Sequence, residues 1–186
     1  KVPLLDLRAQ YKKIHEEVAP AIAGVVESQQ FILGSEVEEL ENEIASYTGS
    51  EFGVGCASGS DALLLALMAL GVSPGDEVIC PDLTFIAPAN MVILSGAKLV
   101  LVDIHPEAFT IDPELIEEKI TNRTKAIMPV DFRGHPANLP EIRKIADKYN
   151  LQVIEDGSHS IGSTYTHNGK EYACGDGIHA DLCTYS

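Results

Sequence analysis

The 186-residue chain predicts an α/β fold with a mostly parallel sheet flanked by helices. Strand-like and helix-like segments alternate along most of it, and two motifs stand where such a sheet collects ligands. One is LQVIEDGSHSIGS, Leu151 to Ser163, an apolar β-branched run ending in Glu155 and Asp156, with His159 close behind. Ligands gather at the carboxyl ends of the strands, so Asp156 is expected there. The other is FGVGCASGSDALLLALMALGV, a short strand, a small-residue turn at Ser58, Gly59 and Ser60, and a helix whose first amides suit a phosphate.

The elements follow in order. Arg8 to Gln30 reads as an amphipathic helical entry interrupted near Pro20. Ser35 opens a second helix, with Glu38 placed for a capping box. Phe52 to Ala57 is expected as the first strand and Asp61 to Leu70 as its helix, and after the turn Ser73 to Asp76 comes a strand from Glu77 to Cys80. A helix near Ala87 to Leu94, a strand from Lys98 to Val102 and a helix opening at Asp112-Pro113 come next, since proline suits the first helical position. Ala126 to Val130 and Gln152 to Glu155 complete the strands, separated by a helix that Pro140 opens. Repeats and long linkers are absent. The expected organisation is a helical arm over residues 1–50, then one domain over residues 51–186 that is part of a larger one, with a second domain outside the sequence.

Composition narrows the function classes. With 13 basic against 28 acidic side chains the net charge is −15, which disfavours nucleic acid or an anionic membrane as partner. Any anion site must therefore be local. The chain is 45% apolar and carries no run of membrane-spanning length, and Lys1 begins no recognisable signal segment. The expected compartment is the cytoplasm. Cys56, Cys80, Cys174 and Cys183 lie far apart without a CxxC pair and are expected as reduced thiols. Cys174, His179 and Cys183 suggest zinc spacing, but three candidates without a fourth fit poorly, and no metal is expected.

The two motifs together describe a site for an anionic, nitrogen-containing cofactor. A helix N-terminus is worth roughly 0.3–1 kcal/mol to an exposed anion and up to about 2 when partly buried. Gly59 lets the backbone approach and Ser60 adds a hydroxyl, although Ser58 or Ser60 could equally do no more than cap the helix. A dinucleotide site is weaker, because Gly53, Gly55 and Gly59 are spaced G-x-G-x-x-x-G and the first two fall inside the expected strand. Asp156 could be a solvated turn, and His159 a core histidine. Glu155 is expected on the opposite face of the strand from Asp156. Asp131 and His135, on a loop after a strand, are further candidates for a substrate pocket.

Several ordered segments resemble one known family. SGSDALLLAL, GDEVICPDLTFIAPAN, GAKLVLVDI, RTKAIMPVDFRGHPANLPEI, NLQVIEDGSHSIGS and DLCTYS, together with PLLDLRAQY and FILGSEVEELENEIASYTG near the start, are similar in order to segments of the DegT/DnrJ/EryC1/StrS sugar aminotransferases, which depend on pyridoxal phosphate. The resemblance implies the large domain of a fold-type I transferase, with the small C-terminal domain missing. It implies that Gly59, Ser60 and Ser186 hold the cofactor phosphate and that Phe85 stacks on the ring face, where pattern alone also allows a helix-start core aromatic. Asp156 would pair with the pyridine nitrogen and keep it protonated, and His159 would donate to the ring oxygen. Gly157-Ser158 depart from the alanine pair more usual there. No catalytic residue is expected in this chain, because the Schiff-base lysine of the family stands five residues after the serine matched by Ser186.

The activity implied is transfer of an amino group, commonly from glutamate, to a keto group of a nucleotide-linked sugar, in the making of sugars for cell-surface polysaccharides or glycoconjugates. The partners implied are that substrate, the amino-acid donor and a second copy in a homodimer. Two alternatives remain on sequence: a pyridoxal-phosphate-dependent dehydratase with histidine at the lysine position, and a non-catalytic binding module.

Overall fold

The structure, a computed structural model, describes residues 5–186; the first two residues of the PLLDLRAQY segment lie outside them. Two helices lead, α1 over Leu7–Ser28 and α2 over Ser35–Thr48, and α3 follows over Gly59–Ala69. Then β1 (Glu77–Pro81), α4 (Ala87–Leu94), β2 (Lys98–Val102), β3 (Thr124–Ile127), α5 (Leu139–Tyr149) and β4 (Gln152–Asp156) alternate as expected. A hairpin of β5 (Thr164–His167) and β6 (Lys170–Ala173) intervenes before β7 (Leu182–Thr184).

Five strands form one sheet in the order β2-β1-β3-β4-β7, every neighbouring pair parallel. The order reverses between β1 and β3, where successive connections leave in opposite directions and open a crevice at the carboxyl ends. Strand alternation divides the core in two. Val78, Cys80, Ala126, Met128 and Ile154 face Leu63 and Leu67 of α3 and Val92 of α4. Their neighbours Ile79, Ile127 and Val153 face Leu139, Ile142 and Ala146 of α5. Each such Leu or Ile is worth about 1.5–3 kcal/mol when fully buried, so both faces of the sheet are secured by apolar contact. At the amino end of β1, Glu77 is buried and accepts from Thr121 Oγ1 at 2.6 Å, Arg123 Nη2 at 2.7 Å and Lys98 Nζ at 3.0 Å. These bonds hold its carboxyl down at about 2, well below the usual range.

Five expectations are corrected. Residues Phe52 to Ala57 form no strand: Phe52 and Val54 are exposed, and the Gly55 amide donates to Glu41 Oε1 of α2 at 2.6 Å in place of a ladder partner. Helix α1 runs unbroken through Pro20, since one missing donor leaves the remaining turns bonded. Gly34 is the N-cap of α2, and Ser35 turns its hydroxyl to Glu36 Oε2 at 3.1 Å, so the capping box with Glu38 does not form. The segment after Asp112-Pro113 makes two short 3₁₀ turns, Pro113–Leu115 and Glu117–Lys119; buried Ile111 and Ile116 bind it to the sheet, and each turn is too short to propagate as an α-helix. β3 is also shorter than expected, although Val130 still bridges to Asp156.

Candidate functional site

The crevice at the carboxyl ends is a cleft of about 310 Å³. Gly59, Ser60, Phe85, Asp156, His159 and Ser186 all line it, delivered by α3 and by the ends of β1, β4 and β7. All six residues that the resemblance assigns to the cofactor meet in one place. Positions more than a hundred residues apart in the chain converge there because parallel strands all end on the same side of the sheet.

At the start of α3 the two readings of the small-residue turn separate. Ser58 is the cap: its Oγ accepts from the Asp61 amide at 3.1 Å. Ser60 is left to the cleft. The Ala62 amide bonds to Ser58 O, so Gly59 and Ser60 hold the helix amides without an internal partner. A Cβ built on Gly59 would lie 2.6 Å from Ser186 Cβ and 3.5 Å from Ser158 Oγ, so only glycine permits this approach of α3 to the end of β7. The result is two free amides and serine hydroxyls around a small hollow, a donor set that suits a phosphate.

Asp156 completes β4 on the same face as Ile154, toward α3, while Glu155 turns with Val153 to the other side, as alternation requires. The Asp156 side chain is 4% exposed. Its Oδ1 accepts from Ser158 Oγ at 2.6 Å and from the Ser158 amide at 3.1 Å, and Oδ2 has no partner among the described residues. Burial pushes its carboxyl up, while the Ser158 bonds act the other way. A buried carboxylate in this position is stabilised by a cation brought to its free oxygen. His159 is exposed in the turn that follows, which excludes a core role. Phe85 is 70% exposed at the rim before α4, so it is no core aromatic either.

The other candidates offer no free group to the cleft. Asp131 reaches the cleft wall, but its carboxylate is fully buried and spent on Ala137 N at 2.8 Å and Ser160 Oγ at 2.6 Å. His135 lines a separate cleft beside the β5–β6 hairpin. His179 pairs with the Tyr165 hydroxyl at 2.7 Å and does not gather with Cys174 and Cys183; the close group of ligand-type atoms among the described residues is Asp131, Glu155 and Cys174. All four cysteines are free thiols. Ser158 was the residue missed on sequence, and its signal was present: an Asp followed two residues on by a donor amide is an Asx turn.

Comparison with known proteins fits this geometry. The model of the DegT/DnrJ/EryC1/StrS aminotransferase family matches residues 12–180. The UDP-2-acetamido-2-deoxy-3-oxo-D-glucuronate aminotransferase of Pseudomonas aeruginosa is 46% identical over 164 residues, 88% of this chain and 46% of that protein. The dTDP-3-amino-3,4,6-trideoxy-alpha-D-glucose transaminase of Streptomyces venezuelae is 42% identical over 180 residues, 97% of this chain and 47% of that one. Among solved structures, NtdA from Bacillus subtilis with bound cofactor PMP superimposes with a TM-score of 0.90 at 37% identity, covering 100% of this chain and 41% of its own. The chain thus spans less than half the length of these relatives. Its sheet and flanking helices are those of a fold-type I pyridoxal-phosphate aminotransferase. The chain belongs to the DegT/DnrJ/EryC1/StrS aminotransferase family, whose cofactor is pyridoxal phosphate.

Proposed function

We propose that the protein carrying this chain is an aminotransferase that moves an amino group, with glutamate the expected donor, to a keto group of a nucleotide-linked sugar. The observation that carries the reading is the convergence of a phosphate-type cradle and a buried carboxylate with one free oxygen on the same cleft. The residues fit the cofactor: the amides of Gly59 and Ser60 with the hydroxyls of Ser60 and Ser186 would hold its phosphate, and Phe85 would cover a ring face.

Pyridoxal phosphate, when bound, supplies an electron sink for a carbanion at the amino-bearing carbon. Asp156 would serve that chemistry by holding the proton on the ring nitrogen, and the charge so retained offsets the burial that raises its own carboxyl. Ser158 aims Asp156 by spending Oδ1 and leaving Oδ2 to the ring. His159 would donate to the ring oxygen from its exposed turn. The proton-shuttling lysine is expected five residues after Ser186.

We assign residues 1–50, of which the first four lie outside the described residues, to a helical arm and 51–186 to part of the cofactor-binding large domain. A homodimer is the expected assembly, because α1 buries none of its residues and exposes Leu7, Tyr11, Ile14, Ile22 and Val26 at helical spacing. The cytoplasm is the expected compartment, which free thiols suit, and the making of polysaccharide or glycoconjugate sugars the expected use. Among the described residues, no helix is long and apolar enough to cross a membrane.

The full-length protein should be yellow and should lose its visible absorbance on adding glutamate. A colourless protein that stays colourless after incubation with pyridoxal phosphate overturns the reading. The residue five positions after Ser186 separates the near alternative: lysine supports transamination, and histidine points to sugar dehydration.

A further inference from the structure

Beneath the cleft lies a pair of acids that the proposed chemistry does not use. Asp131 and Glu155 are 0% and 1% exposed, and no ion pair reaches either among the described residues. One oxygen of each and the Cys174 sulfur lie within 4.8 Å of one another. Asp131 uses both oxygens as acceptors, from the Ala137 amide and the Ser160 hydroxyl. Glu155 Oε2 accepts from the Gly175 amide at 2.9 Å, while Oε1 is buried with no partner.

Two adjacent buried carboxylates with no cationic side chain beside them resist ionising together. An orphaned buried oxygen is a second fault in the same place. One proton on Glu155 Oε1 removes both, because it cancels a charge and turns the orphan into a donor beside the Asp131 carboxylate. We propose that Asp131 and Glu155 share one proton, Glu155 standing as a neutral carboxylic acid that donates to Asp131, and that this pair is the positioning element for the strand end carrying Asp156.

The bonding around the pair supports that role. The Asp131 amide donates to Asp156 O at 3.0 Å, and the Asp156 amide to Pro129 O at 2.9 Å, so Asp131 and Asp156 are laced together by backbone. Through Ser160, Asp131 also closes the turn that holds Ser158 and His159. Through Gly175, Glu155 ties in the end of the β5–β6 hairpin. Burial first, and then the Asp131 charge, push the Glu155 carboxyl up in the same sense. The other titratable groups turned toward Glu155 are Tyr165 of β5, Cys174 after β6, Cys183 of β7 and Tyr185 beyond it, all pushed up by burial and all uncharged at neutral pH; the Cys183 thiol offers only a weak opposing bond. Asp156 is the neighbouring acid on β4.

The bearing on Asp156 rests on the cofactor reading above; the shared proton does not, so the two fail separately. The test uses the full-length protein without cofactor, as wild type, Glu155→Gln and Asp131→Asn. The wild type should show the infrared C=O stretch of a protonated, hydrogen-bonded carboxyl at neutral pH; Glu155→Gln should lose it, and Asp131→Asn, which keeps the burial but removes the charged acceptor, should shift it to the frequency of a more weakly bonded carboxyl, so that this shift decides alone should Glu155→Gln not fold. Melting is followed over the same series. A carboxyl raised from 4.5 to about 8 in the folded state binds a proton that the unfolded chain has released, so wild-type stability should fall as pH rises across that window. Glu155→Gln should hold its melting temperature there, gaining several degrees on the wild type by the alkaline end. Parallel melting profiles of wild type and Glu155→Gln, a band that survives in Glu155→Gln or stays unshifted in Asp131→Asn, or a stoichiometric divalent metal retained by the wild type and lost in Glu155→Gln overturns the proposal.

Discussion

Gly59 and Ser186 are in closest approach at the mouth of the cleft: a Cβ on Gly59 would stand 2.6 Å from Ser186 Cβ and 3.0 Å from its Oγ. The two residues are the opposite walls of the proposed phosphate cradle, one from the start of α3 and one beyond β7. Gly59→Ala must push Ser186 aside, a strain of about 1–3 kcal/mol. Retention of pyridoxal phosphate by the full-length protein should weaken by about tenfold or more. Equilibrium dialysis with the cofactor measures it, and unchanged retention removes Gly59 from the cradle.

Asp156→Asn keeps the shape of the side chain and both bonds from Ser158, but not the charge. Phosphate anchoring should survive with little loss, while turnover should fall by about 100-fold or more, the usual worth of a placed proton or charge in catalysis. Comparing kcat with cofactor retention in the same preparations separates the two effects. Equal turnover of variant and wild type refutes the role.

Phe85 offers a test that folding does not confound. Its side chain is 70% exposed, so Phe85→Ala should change stability by no more than about 0.5 kcal/mol. A ring that stacks on the cofactor should nonetheless cost about 0.5–1.5 kcal/mol of affinity when removed. Thermal melts and fluorescence titration with pyridoxal phosphate, run side by side, should show loss in the second alone.

Glu77 governs stability far from the cleft. Its carboxyl is held near 2 against an ordinary 4.5 by Thr121, Lys98 and Arg123. A depressed carboxyl contributes stability that is complete above 4.5 and is lost as pH falls toward 2. Glu77→Gln should therefore flatten the acid limb of the stability profile and cost about 1–3 kcal/mol at neutral pH. The lower end is expected, because Lys98 and Arg123 are more than half exposed and water screens them. Urea melts from acid to neutral pH give both quantities.

Most of this architecture was legible in the chain. The apolar runs at Val78, Val100 and Val153, the helix signals at Ala87 and Pro140, and the order of motifs determined a parallel α/β sheet, its ligand end and the family. Part of the cleft lining was also readable, since Asp156 as a strand-end acid and Gly59-Ser60 as a small-residue helix start each carry a local chemical reason, whereas Phe85, His159 and Ser186 were marked only by the family resemblance. Where local pattern misled, a distant partner was missing or present: Phe52 to Ala57 has β-branched and aromatic residues but no strand to pair with, and the segment after Pro113 has a helix-opening proline but is drawn tight by buried Ile111 and Ile116.

What only the tertiary structure decided are relationships between segments remote in sequence. Period-two alternation sends Asp156 and Glu155 to opposite faces, but that one meets a cleft and the other a second buried acid depends on where β3, β7 and the hairpin end lie. Likewise Gly59 is read locally as a flexible turn, whereas its necessity comes from Ser186, 127 residues further along the chain. Propensity and periodicity act over a few residues. Close approach, desolvation and the sharing of a proton are set by which chain segments the sheet order brings together, and no short window of sequence contains both partners.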